Sequence, residues 1–151
     1  MSSMKKFTIQ ELSMSKFQAI PPKPGIYWYE IDKPIEKPIF KNDNPAGHFR
    51  GNDPTVHPNV LMIKWVKEAT ILYIGRHKKN LRKRILQHFK FAAGKSVSAW
   101  GGRYLWQLDD SIQKKMTVRY KEVKNPKRAE KDELAKFEKT FKRLPFANLR
   151  R

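Results

Sequence analysis

Gly25-Ile26-Tyr27-Trp28-Tyr29-Glu30-Ile31 and Thr70-Ile71-Leu72-Tyr73-Ile74-Gly75 are the two stretches on which the reading of this chain turns. Each is rich in aromatic and β-branched residues and abuts a glycine, so each predicts a short strand. A glycine has no side chain, so a bulky anion can approach the backbone there and the strand can turn sharply. Taken one at a time, they also look like strands of an ordinary core.

The segment after the second strand is strongly cationic. Arg76, Lys78, Lys79, Arg82, Lys83, Arg84 and Lys90 fall in a run without a single acid, which reads as a phosphate-facing surface. Asn80 is placed to cap a helix in which Leu81, Ile85 and Phe89 recur at four-residue spacing as the buried stripe. Asn80, Arg84 and His88 form a parallel row beside it, at the edge of the helix–sheet contact, within reach of a phosphate lying on the strands. Arg82 and Lys83 read equally as a solvated charge face.

Working outward, residues 7–19 predict a short helix that Pro21-Pro22-Lys23-Pro24 halts. Residues 28–72 separate the two tyrosine-glycine motifs, far more than a hairpin needs, so an insertion is expected at about residues 32–69. Its first half is punctuated by proline, glycine, asparagine and aspartate too densely for regular structure. Lys41, His48, Arg50 and His57 there touch substrate or merely decorate a surface flap. The second half, Pro58 to Glu68, is apolar and reads as a helix or an extra strand, which periodicity does not decide over so short a run.

Further on, Gly94 predicts a helix stop. Trp100 to Leu108 reads best as core, although its aromatics near Arg103 also suit stacking on unpaired bases. Met116 to Val123 alternates apolar and polar residues as a third strand does. The last helix, from about Pro126 to Arg143, has the stripe Leu134, Phe137, Phe141, Leu144, and one turn back the stripe lands on Glu130. A carboxylate on a buried stripe is paired or bound to metal in most folds. Glu133, on the flank of the stripe, is the rival.

Composition sets the class of partner. With 33 Lys and Arg against 14 Asp and Glu, the formal charge of +19 points to a polyanion, because neutralising phosphates releases counterions. No apolar run approaches the roughly 20 residues that span a bilayer, and no secretory signal is visible at the start, so no membrane partner and a cytoplasmic location are expected. Without cysteine there is neither a disulfide nor a cysteine-ligated zinc. The 151 residues suffice for one domain.

These residues together resemble the GIY-YIG nuclease family, whose two naming tripeptides stand here as Gly25-Ile26-Tyr27 and Tyr73-Ile74-Gly75. Arg84 and His88 match the family's arginine and the histidine that many members carry one turn later, and Asn148 matches its closing asparagine. The resemblance spans residues 20–150 in order. It implies an α+β fold: a small, mainly antiparallel three-stranded sheet flanked by helices. It also implies a metal-dependent endonuclease that hydrolyses DNA with Mg2+ or Mn2+ held by Glu130, or alternatively Glu133. Tyr27 would position or deprotonate the attacking water, with cations lowering its pKa. Arg84 would clamp the phosphate, Tyr73 and His88 would hydrogen-bond it or assist proton transfer, and Asn148 would brace the site. Gly25, Gly75, Arg76, Lys78, Lys79, Arg82 and Lys83 are the expected nucleic-acid contacts.

The chain departs from some relatives in a Gly75-to-Arg84 loop one residue longer, and in Arg76 and His77 where others carry small or lysine residues. With no DNA-reading domain appended after Asn148, specificity is expected from the inserted loop, from a homodimer, or not at all. The competing readings are a non-catalytic nucleic-acid-binding module of the same fold and an RNA-binding protein.

Overall fold

Four strands, rather than three, build the sheet. In the computed structural model, which describes residues 5–14 and 16–149, these are β1 (Lys5–Thr8), β2 (Gly25–Glu30), β3 (Ile71–His77) and β4 (Thr117–Glu122). They lie in the order β1-β4-β2-β3 and every pairing is antiparallel. Residues 1–4, Ser15, Arg150 and Arg151, on which parts of the signal, lead-in helix and chain-end readings fall, lie outside the described residues.

The extra strand overlaps the start of the stretch expected to be helical, at Phe7 and Thr8. Lys5–Thr8 pairs with β4 in the register Phe7↔Val118, and the Phe7 ring stacks on Tyr120. Only then does the chain turn helical. Thr8 and Glu11 form a reciprocal capping box at the start of α1 (Ile9–Ser13), and a 3₁₀ turn follows at Lys16–Ala19.

The period of two along β2 sorts its aromatic run between two layers. Tyr27, Tyr29 and Ile31 enter the larger core with Leu81, Ile85, Phe91 and Trp106. Ile26 and Trp28 join Ile74 and Leu134 in a smaller core on the opposite face. The first face is covered by α3 (Leu81–Ala92) and by a 3₁₀ segment, Trp100–Gln107; the second is covered by α5 (Pro126–Phe141).

α3 begins at Asn80, whose side chain accepts from the Lys83 amide at 3.0 Å, and ends before Gly94, which takes φ +95°. Its buried stripe runs Leu81, Ile85, His88, Phe91, with Phe89 only partly buried against Phe17 and Trp106. The helix is thus rotated from the expected stripe, and His88 lies inside the contact rather than beside it.

The second half of the insertion is helical, α2 (Pro58–Lys64), capped by His57 Nδ1 on the Asn59 amide at 3.0 Å. The first half has isolated bridges only, yet it is pinned. Buried Gln107 donates to the carbonyls of Lys41 and Val56 and accepts from the Val56 amide, and buried Asn44 donates to the Arg103 carbonyl. A short α4 (Asp110–Gln113) leads into β4. Among the described residues no helix is long and apolar enough to cross a membrane.

Candidate active site

The antiparallel register sets Tyr29 opposite Tyr73 and Tyr27 opposite Gly75. A side chain at residue 75 would collide with the Tyr27 ring and hydroxyl, so this glycine is the floor on which the tyrosine lies. Gly25 has the same kind of duty. A Cβ there would meet Leu81 Cδ1 and the Lys121 carbonyl. Both glycines are buried, so they make room for the protein's own groups; the sequence had suggested contact with an anion.

β3 is the edge strand, and the chain end seals part of that edge. The Ala147 amide donates to the Leu72 carbonyl at 2.8 Å. Asn148 then mimics a neighbouring strand: Oδ1 accepts from the Ile74 amide and Nδ2 donates to the Ile74 carbonyl, both at 2.9 Å.

At the end of that sealed edge opens a cleft of about 1040 Å³. Tyr27, Tyr73, Arg84, Glu130 and Asn148 all line it, brought from separate parts of the chain, together with Arg76, Lys78, Trp100 and Phe49. Among the described residues that line it, Glu130 is the sole acid. Its Oε1 faces Arg76 Nε at 3.2 Å, and burial raises its pKa while Arg76 opposes the rise. Glu133 is not part of the cleft wall; it pairs with Lys136 at 2.9 Å on the outer side of α5.

Arg84 is held by its Nη1 on the Ser98 carbonyl at 2.8 Å and stands beside the Tyr27 hydroxyl. Burial raises the pKa of Tyr27, and the Arg84 charge opposes the rise. The net shift is therefore opposite to the lowering expected from the surrounding cations. Burial pushes Tyr29 and Tyr73 well above the ordinary tyrosine value, so Tyr27 is the least resistant of the three to ionising.

His88 does not reach the cleft. It is fully buried behind Tyr27, with Nε2 2.9 Å from the Tyr27 hydroxyl. Burial, reinforced by Arg84, drops its pKa well below the usual histidine range, so the ring is neutral. Its other nitrogen, Nδ1, is buried without a hydrogen-bond partner. An orphaned N–H is rarer in folded proteins than an unused acceptor, which favours Nε2 as the protonated nitrogen, while the donor and acceptor roles of His88 and Tyr27 follow the tautomer.

Other cations of the expected nucleic-acid surface divide by role. Arg76 and Lys78 line the cleft. Arg82 instead staples the N-terminal segment to α3, donating to the carbonyls of Ile20 and Gln18 at 2.8 and 2.9 Å. Lys79 and Lys83 are exposed outside the cleft wall. His77 Nδ1 accepts from the amides of Lys79 and Asn80 and so fixes the turn into α3. Trp100 and Arg103, read mainly as core with base stacking as the alternative, line the cleft, and so does Phe49, which nothing local in the sequence joins to the segment after Gly94.

A lone carboxylate in a cationic cleft fits a hard divalent cation that keeps several waters and takes its remaining oxygens from a phosphate. Among the described residues no three His, Asp or Glu side chains gather into a fuller ligand cage. No family model, curated protein or solved structure matches the chain.

Proposed function

We propose that the protein is a metal-dependent DNA endonuclease of the GIY-YIG type, with the cleft beside β3 as its active site. The observation that carries this reading is the convergence of Tyr27, Tyr73, Arg84 and Glu130 on one cationic cleft, where Glu130 is the only acid among the described residues of the wall. Binding a polyanion calls for the cations alone, and a half-buried carboxylate among them works against it.

Hydrolysis of a phosphodiester requires an oriented water, charge neutralisation at the phosphoryl oxygens and a stabilised leaving oxygen. Arg84 suits the second task, because its guanidinium stays charged and offers a planar fork, already aimed by the Ser98 carbonyl. Tyr27 lies at hydrogen-bond distance from His88 Nε2 and beside Arg84 and Tyr73, which together fix the direction of its hydroxyl. As a neutral phenol it orients the attacking water by hydrogen bonding; ionisation requires further positive charge nearby. Tyr73, buried against Tyr27, limits the directions open to that hydroxyl. Glu130 would hold Mg2+ or Mn2+, which when bound supplies positive charge against the scissile phosphate. Asn148 keeps the β3 edge from shifting under these groups.

The test is cleavage of supercoiled plasmid by purified protein, with magnesium or with chelator. Magnesium-dependent nicking of circles is expected from a monomer and direct linearisation from a homodimer. Tight binding with no cleavage of plasmid, branched or single-stranded DNA, under magnesium or manganese, would replace the nuclease with the binding module.

A further inference from the structure

The first half of the insertion carries a small hairpin. Phe49 and Asn52 exchange both backbone hydrogen bonds, at 3.1 and 3.0 Å, around Arg50 and Gly51, whose φ values of 53° and 77° are those of a type I′ turn. The hairpin is not a free flap. The Gly47 amide donates to the Phe91 carbonyl, and Asn44 and Gln107 tie the flanking chain to the Trp100–Gln107 segment.

These bonds set two aromatic rings at the mouth of the cleft. Phe49 and Trp100 lie 6.4 Å apart between ring centroids at an interplanar angle of 32°, both part-exposed and both lining the cleft that holds Tyr27 and Arg84. A guanidinium attends each ring: Arg50 at 5.1 Å from the Phe49 centroid and Arg103 at 4.4 Å from that of Trp100. The neighbouring Tyr104 and Trp106 are buried, so the same segment separates core aromatics from cleft aromatics.

Part-exposed rings, each with a guanidinium over it, match a nucleobase and its adjoining phosphate. In a duplex, base faces are covered by their neighbours, so they become available only in a single strand, at a branch, or when a nucleotide is turned out. We propose that Phe49 and Trp100 form a stacking site for one unpaired base of the strand whose phosphate enters the cleft. The assignment rests on the nuclease reading for the identity of that strand, and it makes single-stranded or branched DNA the preferred substrate over perfect duplex.

The experiment scans a fluorescent adenine analogue, dimmed by stacking, through a single-stranded oligonucleotide and through the matching duplex, with chelator present to prevent turnover. Quenching is expected at one or two positions of the single strand. Phe49→Ala and Trp100→Ala should relieve it and weaken single-strand binding by about 5- to 100-fold, the scale of one lost base–aromatic contact. Trp100→Phe should keep most of the quenching. If Trp100→Ala does not fold, Phe49→Ala on the exposed turn still decides the matter.

Unchanged emission at every position under saturating wild-type protein overturns the stacking site, as does wild-type affinity in both alanine variants. Plasmid cleavage without quenching removes this inference and leaves the nuclease standing. Quenching without cleavage of any substrate removes the nuclease and leaves the base site. Failure to bind DNA at all removes both.

Discussion

His88 Nε2 lies 2.9 Å from the Tyr27 hydroxyl, and the imidazole that makes this contact is wholly buried and neutral. Read as an Nε2–H donor, it would orient the tyrosine rather than withdraw the tyrosine's proton. Glutamine places an amide donor near the same point, whereas leucine cannot. His88→Gln is therefore expected to retain turnover within about tenfold, and His88→Leu to lose about 100-fold or more, the scale of a positioned proton-handling group. Single-turnover cleavage at saturating DNA measures both. Equal loss in the two variants would make His88 the base and reverse the tautomer.

Two glutamates on α5 separate cleanly by surroundings. Glu130 faces Arg76 across the cleft wall, while Glu133 pairs with Lys136 outside it. Glu130→Gln should lower magnesium-dependent cleavage by about 100-fold or more, since it removes a charge that acts on the phosphoryl centre. Glu133→Gln should stay within about threefold, because an exposed i,i+3 pair contributes little. Plasmid cleavage at equal DNA occupancy compares them, and a dead Glu133→Gln beside an active Glu130→Gln would hand the metal to Glu133.

Much of this layout was legible because its signals are local. Aromatic and β-branched runs mark β2 and β3, alternation marks β4, and Asn80 announces α3 through its own cap. β1 was not legible, since its partner residues 117–120 lie more than a hundred positions away and only that pairing makes Lys5–Thr8 extended. His88 was misplaced for a similar reason. Four-residue spacing selected Phe89, and the polarity of histidine hid its place on the stripe, which Tyr27 makes acceptable by pairing with the ring. Tyr27, Tyr73, Arg84 and Asn148, chosen by motif, and Glu130, chosen by the stripe of the last helix, line one cleft. The insertion's anchors, Asn44 and Gln107, bond to backbone groups, and such contacts leave no pattern in side-chain identity.

Asn148 satisfies a backbone donor and a backbone acceptor of the same residue, Ile74, inside the protein. Asn148→Asp keeps the acceptor but turns the donor into a second oxygen facing a carbonyl. A loss of about 1–3 kcal/mol is expected from the unsatisfied buried groups alone. Asn148→Leu should cost a comparable amount. Urea denaturation measures both, and unchanged midpoints would mean that the β3 edge does not depend on this amide.

Acid should loosen the protein through its histidines. Burial, with help from Arg84, holds His88 well below the usual histidine range, and burial with the charges of Arg84, Lys83, Lys78 and Lys79 depresses His77. The unfolded chain takes up these protons near pH ~6.5 while the folded one resists, so the unfolded state binds more protons and stability falls as pH drops below about 6.5. Above that pH neither residue makes stability depend on pH. The groups packed around His88 are Tyr27, Tyr29, Tyr73 and Arg84; the phenols stay neutral throughout this window and Arg84 stays charged, so none supplies a competing titration. Urea midpoints measured between about pH 8 and pH 5 should decline on the acid side, and His88→Leu should remove most of the slope because His88 is the more deeply buried of the pair. A slope that survives the substitution would assign acid sensitivity to other groups.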